Sequence, residues 1–192
     1  MSKITFKKAY PYLLIIAGLI GLAMAFIIMQ EKIALLKNPN YVPSCNLNPV
    51  ISCGSIMSSP ESTAFGFPNP FLGLVGFPIV MTVGMALLAG AQFRRWFWRT
   101  FHFATSLALI FVHWLFLESV YELQALCPYC IVVWAMTIAI FLYTTLYMLR
   151  EGNIKLPKVS KFLQANHIGV LIAWYGIITA LILNHFWYYF GS

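Results

Sequence analysis

Four cysteines are the residues of this chain whose type and spacing can do chemistry. Cys127 and Cys130 enclose Pro128 and Tyr129, while Cys45 and Cys53 have seven residues between them in a stretch rich in Asn, Pro and Ser. Two residues between cysteines at the start of a helix bring both sulfurs within bonding reach. One sulfur then faces unsatisfied backbone N–H groups, which lowers a thiol pKa. Pro128 suits such a first turn, where a missing N–H removes no intrahelical bond. A thiolate is both nucleophile and leaving group in disulfide exchange, so the pair is a candidate for redox turnover.

Other uses of four cysteines compete with this one. Two stabilising disulfides are the plainer use, but a bridge across two residues closes too short a loop to add much stability. A four-cysteine zinc site commonly takes two close pairs; only one is present, and no metal is expected. Cys-Pro-Tyr-Cys alone also suits a soluble thioredoxin-like fold, which needs strands in a βαβ pattern around it. Here long apolar runs flank the motif instead.

Those runs must position the cysteines. A composition of 61% hydrophobic and 9% charged residues lies far from the balance of a water-soluble domain. Five apolar stretches, near 12–29, 71–91, 101–120, 131–149 and 168–188, approach the roughly 20 residues that a helix needs to cross a bilayer core. None alternates apolar with polar residues as a barrel strand would, which predicts helices. The first stretch also has signal-peptide features, with Lys3, Lys7 and Lys8 ahead of Ala23-Met24-Ala25. Its apolar run nevertheless continues to Met29, where a cleaved signal turns polar.

A net charge of +7 invites a nucleic-acid reading, but the basic residues fall between the apolar stretches rather than on one soluble surface. Lys3, Lys7, Lys8, Arg94, Arg95, Arg99, Arg150, Lys155, Lys158 and Lys161 share one side of a five-span topology, which the positive-inside rule makes cytoplasmic. Lys32 and Lys37 face out. The C-terminus is then outside, ending in Trp187, Tyr188, Tyr189 and Phe190, aromatic residues suited to a membrane interface. All four cysteines lie on the outer face, in the compartment where disulfides persist.

Cys45 and Cys53 occupy the longest connection, an outer loop at 30–69, in which 50–59 could form a short helix. No internal repeat or low-complexity tract divides the chain, and one membrane domain over 1–192 is expected. Gly18, Gly21, Gly73, Gly76, Gly84 and Gly176 are expected where helices pack closely. His113, in mid-membrane, is read as forming an interhelical hydrogen bond.

A loop pair with seven residues between its cysteines, followed by a Cys-x-x-Cys opening the fourth long helix, resembles the vitamin K epoxide reductase family and its bacterial homologues. Val50-Ile51-Ser52-Cys53, the trailing Ser58-Ser59 and Asn69 in Phe67-Pro68-Asn69-Pro70-Phe71-Leu72-Gly73 carry the likeness, over roughly residues 10–150. The resemblance implies an all-α membrane protein with five transmembrane helices, four bundled around a quinone site and a peripheral fifth. It implies that Cys127 and Cys130 hand electrons to a quinone, ubiquinone or menaquinone, with Cys130 in contact with it. Cys53 would exchange with Cys127, and Cys45 would accept electrons from a reduced protein partner. Asn69 would hydrogen-bond a quinone oxygen, although an asparagine between prolines is also a natural turn residue.

Phe65, Phe67, Phe71, Trp114 and Tyr129 are aromatic candidates for the pocket, with interface anchoring as their alternative role. Trp134 stands where the vertebrate enzymes carry a pocket tyrosine; an indole donates but does not accept. No thioredoxin-like domain follows the fifth stretch, so a separate periplasmic thioredoxin-fold partner is expected. A disulfide-generating oxidase of a bacterial inner membrane is the leading expectation. Its alternatives are a vertebrate-type vitamin K quinone or epoxide reductase, and a non-catalytic membrane scaffold with structural disulfides. The four-helix bacterial disulfide oxidases carry their cysteine pairs in the reverse order.

Overall fold

The computed structural model describes residues 3–153 and 157–190. In chain order the elements are α1 (Lys3–Lys37), the short α2 (Cys53–Ser58), a 3-10 turn (Pro60–Thr63), α3 (Pro70–Leu88), α4 (Arg95–Leu117), a π-helical turn (Glu118–Glu122), α5 (Pro128–Arg150), α6 (Pro157–His185) and the terminal turn α7 (Trp187–Phe190). No strand occurs among the described residues, and five helices are long and apolar enough to cross a membrane. The protein is an all-α membrane protein. Ile16, Val75, Phe103, Ile110 and Ile172 are each more than half exposed, as a surface that faces lipid requires.

Prolines set two of the helix starts. Pro70 and Pro128 open α3 and α5, where their fixed φ is already helical and no donor is lost. α1 runs well past Met29, the limit that hydropathy suggested, because the charges following it are not solvated. Glu31 and Lys32 are 8% and 7% exposed, and both bond to the loop that folds over them. α6 begins before the stretch near 168 and bends at Asn166, whose φ of −121° interrupts the helix. Lys155, one of the expected topology-marking cations, lies outside the described residues.

α1 is the central post, packed against α3 and α5, and α5 in turn packs against α4 and α6. Close approach of α1 and α3 depends on glycine. A Cβ at Gly84 would lie 2.8 Å from the Pro11 carbonyl oxygen, and one at Gly73 would lie 2.7 Å from Ala25 Cβ. Gly18 and Gly21 are crowded in the same way by Met81 and Phe77, whereas Gly76 and Gly176 meet nothing within 4 Å. The expectation of close packing therefore fails at those two. Gly76 instead lines a cavity.

At the end of the bundle away from the cysteines, α1 and α5 are locked by aromatics. Tyr10 stacks on Tyr147 at 4.6 Å between ring centres, Trp98 lies 4.5 Å from Tyr147, and the Tyr10 and Thr144 hydroxyls are 2.9 Å apart. Each such ring pair adds about 0.5–1.5 kcal/mol beyond its buried area. α6 is the peripheral helix, tied on by point contacts. Trp174 Nε1 donates to His113 Nε2 at 3.0 Å and Tyr175 Oη to the Ala135 carbonyl at 2.7 Å. His113 thus makes the interhelical hydrogen bond expected of it. Its Nδ1 lies 2.8 Å from the Leu109 carbonyl, which with Trp174 donating to Nε2 fixes the neutral Nδ1–H tautomer.

A cysteine cluster beside an apolar cavity

The Cys45–Cys53 segment is folded by its own asparagines. Asn48 Oδ1 accepts from the amides of Val50 (3.0 Å) and Ile51 (2.7 Å), and Asn46 Oδ1 accepts from Gly54 N at 2.8 Å. Such side chains supply turns with acceptors that the backbone lacks. Ser52 then caps α2 by accepting from Ser55 N, which makes Cys53 the first helical residue. Cys45 and Cys53 are joined in a disulfide.

On the other side of the site, the turn between α4 and α5 delivers the second pair. After the π-helical turn, Gln124 takes a φ of +49°, and the Ser119 hydroxyl and carbonyl bond the Ala125 carbonyl and amide respectively. Leu126 emerges extended. Its amide donates to the Val50 carbonyl at 2.7 Å and its carbonyl accepts from Ser52 N at 3.1 Å, a parallel bridge between Ile51 and Leu126. The bridge fixes register: Ser52 and Leu126 each immediately precede a cysteine.

The consequence is a sulfur-to-sulfur distance of 3.1 Å between Cys53 and Cys127. Cys45, Cys53 and Cys127 all have their sulfurs within 4.8 Å of one another. With two of them in a disulfide, this is an arrangement for exchange. Cys53 and Cys127 are fully buried and Cys45 nearly so. The Cys127 thiol is held below the ordinary thiol range, first by the Cys130 thiol donating to it, with the amides of Cys130 and Tyr129 adding to the effect against the penalty of burial. Those amides are the unsatisfied donors at the start of α5. Cys130, one turn on, is half-buried.

Cys130 lies on the wall of a cavity of about 600 Å³ enclosed by α1, α3, α4 and α5, the size of clefts that hold small organic molecules. Its lining is almost wholly apolar, from Phe77, Val80, Phe111, Val112, Val133 and Trp134 among others. α3 and α4 share little contact, so exposed Leu72, Ile79 and Leu107 line the cavity where it faces lipid. Polar groups gather at its cysteine end: Lys32, Ser59, Glu61, Ser62 and Asn69.

The expected pocket residues fall in different places. Trp134 is buried on the cavity wall, edge-on to Phe116 at 5.5 Å. Phe65 and Phe67 line the cavity and stack at 6.2 Å, with Phe65 also against Phe111 at 5.3 Å. Asn69 lines it too, but its amide is engaged with its own loop, Nδ2 donating to the Glu61 carbonyl at 2.7 Å and Oδ1 accepting from Ala64 N at 3.1 Å. Tyr129, Phe71 and Trp114 are not among the lining residues. Tyr129 turns the other way, with its hydroxyl 3.3 Å from Ser44 Oγ beside Cys45.

Charged residues that hydropathy treated only as topology markers turn out to shape the site. Glu31 accepts from Ser44 Oγ (2.6 Å), Ser44 N (3.4 Å) and Tyr41 Oη (2.9 Å), and so ties the segment before Cys45 to α1. Lys32, one position and about 100° on around the helix, has other partners and donates to the Met57 carbonyl and to Ser62 Oγ. The signal available in the sequence was an adjacent acid and base continuing an apolar helix.

Fold and site define a multi-pass membrane protein with a thiol–disulfide centre beside an apolar cavity. The model of the vitamin K epoxide reductase family matches residues 12–145, and the chain belongs to that family. A comparison with curated proteins finds no match. Membership implies quinone-linked disulfide or epoxide redox chemistry, in a family that works at the membrane with thioredoxin-like partners. The cavity fits a quinone. It is apolar and of suitable volume, Cys130 is on its wall, and a buried donor beside it, the Ser59 hydroxyl, has no partner among the described residues.

Proposed function

We propose that the protein is a quinone-linked thiol oxidase that generates disulfides. The observation that carries this reading is the 3.1 Å approach of Cys53 to Cys127, with Cys130 lining the cavity. A reduced thioredoxin-fold protein would attack the loop disulfide at Cys45, leave oxidised, and give Cys45 and Cys53 as thiols. The Cys53 thiolate then attacks Cys127 Sγ of an oxidised Cys127–Cys130 pair, breaking that bond and releasing Cys130. Cys45 next attacks Cys53, reforming the loop disulfide and releasing Cys127 as a thiolate.

That end state, with the loop pair joined and Cys127 and Cys130 free, is the one described above. A bound quinone supplies a two-electron, two-proton acceptor. Cys130, on the cavity wall, would face it, while the stabilised Cys127 thiolate closes the Cys127–Cys130 disulfide; two electrons and the Cys130 proton leave the pair, and the second proton, the equivalent of the one Cys127 lost on ionising, comes from solvent. Trp134, Phe65, Phe67 and Asn69 would hold the ring, and Tyr129 would act on the loop side of the pair.

The setting in this reading is a bacterial inner membrane, with a single membrane domain over 1–192. The N-terminus is cytoplasmic, while the cysteines and C-terminus face the periplasm. Support comes from the basic residues around Lys7, Arg94, Arg95 and Arg150 at the end opposite the cysteines. The partner is a separate periplasmic oxidoreductase.

The test is to mix purified protein with a reduced thioredoxin-fold partner and either ubiquinone or menaquinone, and to follow quinone absorbance. Loss of quinone signal together with partner oxidation is expected; no reduction of either quinone would sink the reading. A non-catalytic scaffold instead predicts that Cys130→Ser leaves thiol oxidation unchanged. Mutating Cys53 is expected to trap the partner on Cys45.

A further inference from the structure

Lys32 is a cation buried beside an apolar cavity. Its ammonium donates to two neutral acceptors, the Met57 carbonyl and Ser62 Oγ, which leaves one of its three hydrogens over. Among the described residues it makes no ion pair; the single one present, Lys7–Glu151, is at the far end of the bundle. Glu31, its neighbour in sequence, is committed to Tyr41 and Ser44. A buried charge without a counter-ion is costly. Electron-rich oxygen brought into the cavity would offset that cost.

A second, independent observation lies on the same wall. Ser59 is 92% buried by its 8% exposure, lines the cavity, and its hydroxyl has no partner among the described residues. Glu61 Oε2 is likewise buried there without a partner. Asn69, the group expected at this position, has Oδ1 and one Nδ2 hydrogen occupied within its loop. The cavity therefore has a polar end in which the cation and an idle hydroxyl are available to a guest.

We propose that Lys32, seconded by the Ser59 hydroxyl, is the polar anchor of the cavity: it donates a hydrogen bond to a quinone carbonyl oxygen and stabilises the negative charge that develops there as Cys127 and Cys130 are oxidised. This deepens the oxidase reading and rests on it. The electron and proton balance is unchanged, two electrons leaving the cysteine pair and two protons reaching the quinone, one from Cys130 and one from solvent, since Lys32 contributes a field and a hydrogen bond and consumes nothing. Affinity and rate for quinone depend on Lys32, whereas exchange between the partner and Cys45–Cys53 does not.

The experiment uses the full chain in lipid nanodiscs, as wild type, Lys32→Met and Lys32→Arg. Binding of short-chain ubiquinone and menaquinone to the fully oxidised protein, which has no electrons to give, is read by tryptophan fluorescence. KM and kcat for quinone are measured separately, and single-turnover oxidation of the partner without quinone serves as the folding check. Loss of a charged hydrogen bond is expected to weaken binding roughly tenfold to a hundredfold in Lys32→Met, with most of it restored in Lys32→Arg. Equal quinone affinity and equal KM and kcat in Lys32→Met overturn the assignment while leaving the oxidase reading standing. If wild type binds neither quinone, both fall. Should Lys32→Met fail the folding check, Ser59→Ala decides, because it removes no internal bond: a several-fold weaker quinone affinity supports the anchor, and unchanged affinity overturns it.

Discussion

Cys53 and Cys127 are 74 positions apart in the chain and 3.1 Å apart at their sulfurs. What brings them together is a two-residue parallel bridge, Ile51 with Leu126, whose hydrogen bonds join Leu126, just before Cys127, to Val50 and to Ser52, the latter just before Cys53. A pair of backbone bonds has no reach to spare. If the register slipped by one residue, the side chains would alternate to the other face, and the cysteines would no longer oppose each other. The bridge is a register pin that sets Cys53 against Cys127.

Isolating the two central cysteines tests that geometry. In a Cys45→Ser, Cys130→Ser double variant, mild oxidation is expected to join Cys53 to Cys127 in nearly all molecules, seen as a linked peptide by mass spectrometry without reduction. Free thiols at both positions after oxidation would contradict the observed proximity.

Leu126→Pro removes the amide that donates to Val50. The lost bond and altered backbone should cost about 1–3 kcal/mol locally and slow exchange between the pairs by roughly tenfold or more, on the scale of 1.4 kcal/mol per decade. Rapid-quench trapping of the Cys53–Cys127 intermediate measures it. An unchanged rate would mean that the bridge does not set the register.

Acid should slow exchange through Cys127. Its pKa is depressed, so the thiolate is favoured above that lowered value and is lost as pH falls through it. The stabilisation of the thiolate form is likewise present at higher pH and disappears on acidification. Attack of Cys127 on Cys53 is therefore expected to show a midpoint below the ordinary thiol pKa of about 8.5. Replacing Cys130 by Ala, which removes the largest cause of the shift, should move that midpoint upward. Maleimide capture of the released Cys45 across a pH series gives both curves, and coincident curves would rule the Cys130 contribution out.

Glu31 restrains the segment that carries Cys45. In Glu31→Ala, Ser44 and Tyr41 lose their common acceptor, and the nearly buried Cys45 should become easier to reach. The loop disulfide is expected to be reduced several-fold faster by a small thiol such as dithiothreitol. A slower or equal rate would show that Glu31 does not hold the segment closed.

Much of the architecture is legible in the sequence. Apolar runs of bilayer length give the five long helices, because in lipid the backbone must satisfy itself within each segment. Proline at Pro70 and Pro128 marks two starts, and the cysteine spacing marks the chemistry. The helix ends were less legible: α1 overruns Met29 because Glu31 and Lys32 find partners 10 to 30 residues later, which no local pattern records.

The sequence by itself therefore determined the solvent, the class of element and which cysteines could do chemistry, all properties of composition and short spacing. Tertiary structure alone decided which sulfur opposes which, that Tyr129 faces Ser44 while Trp134 faces the cavity, and that Lys32 is turned inward toward Met57 and Ser62. These relationships rest on contacts between residues distant in the chain and on single hydrogen bonds that choose one side of a helix over another. Hydropathy cannot resolve such choices, since a lysine at a helix end reads the same whether it meets water or a carbonyl.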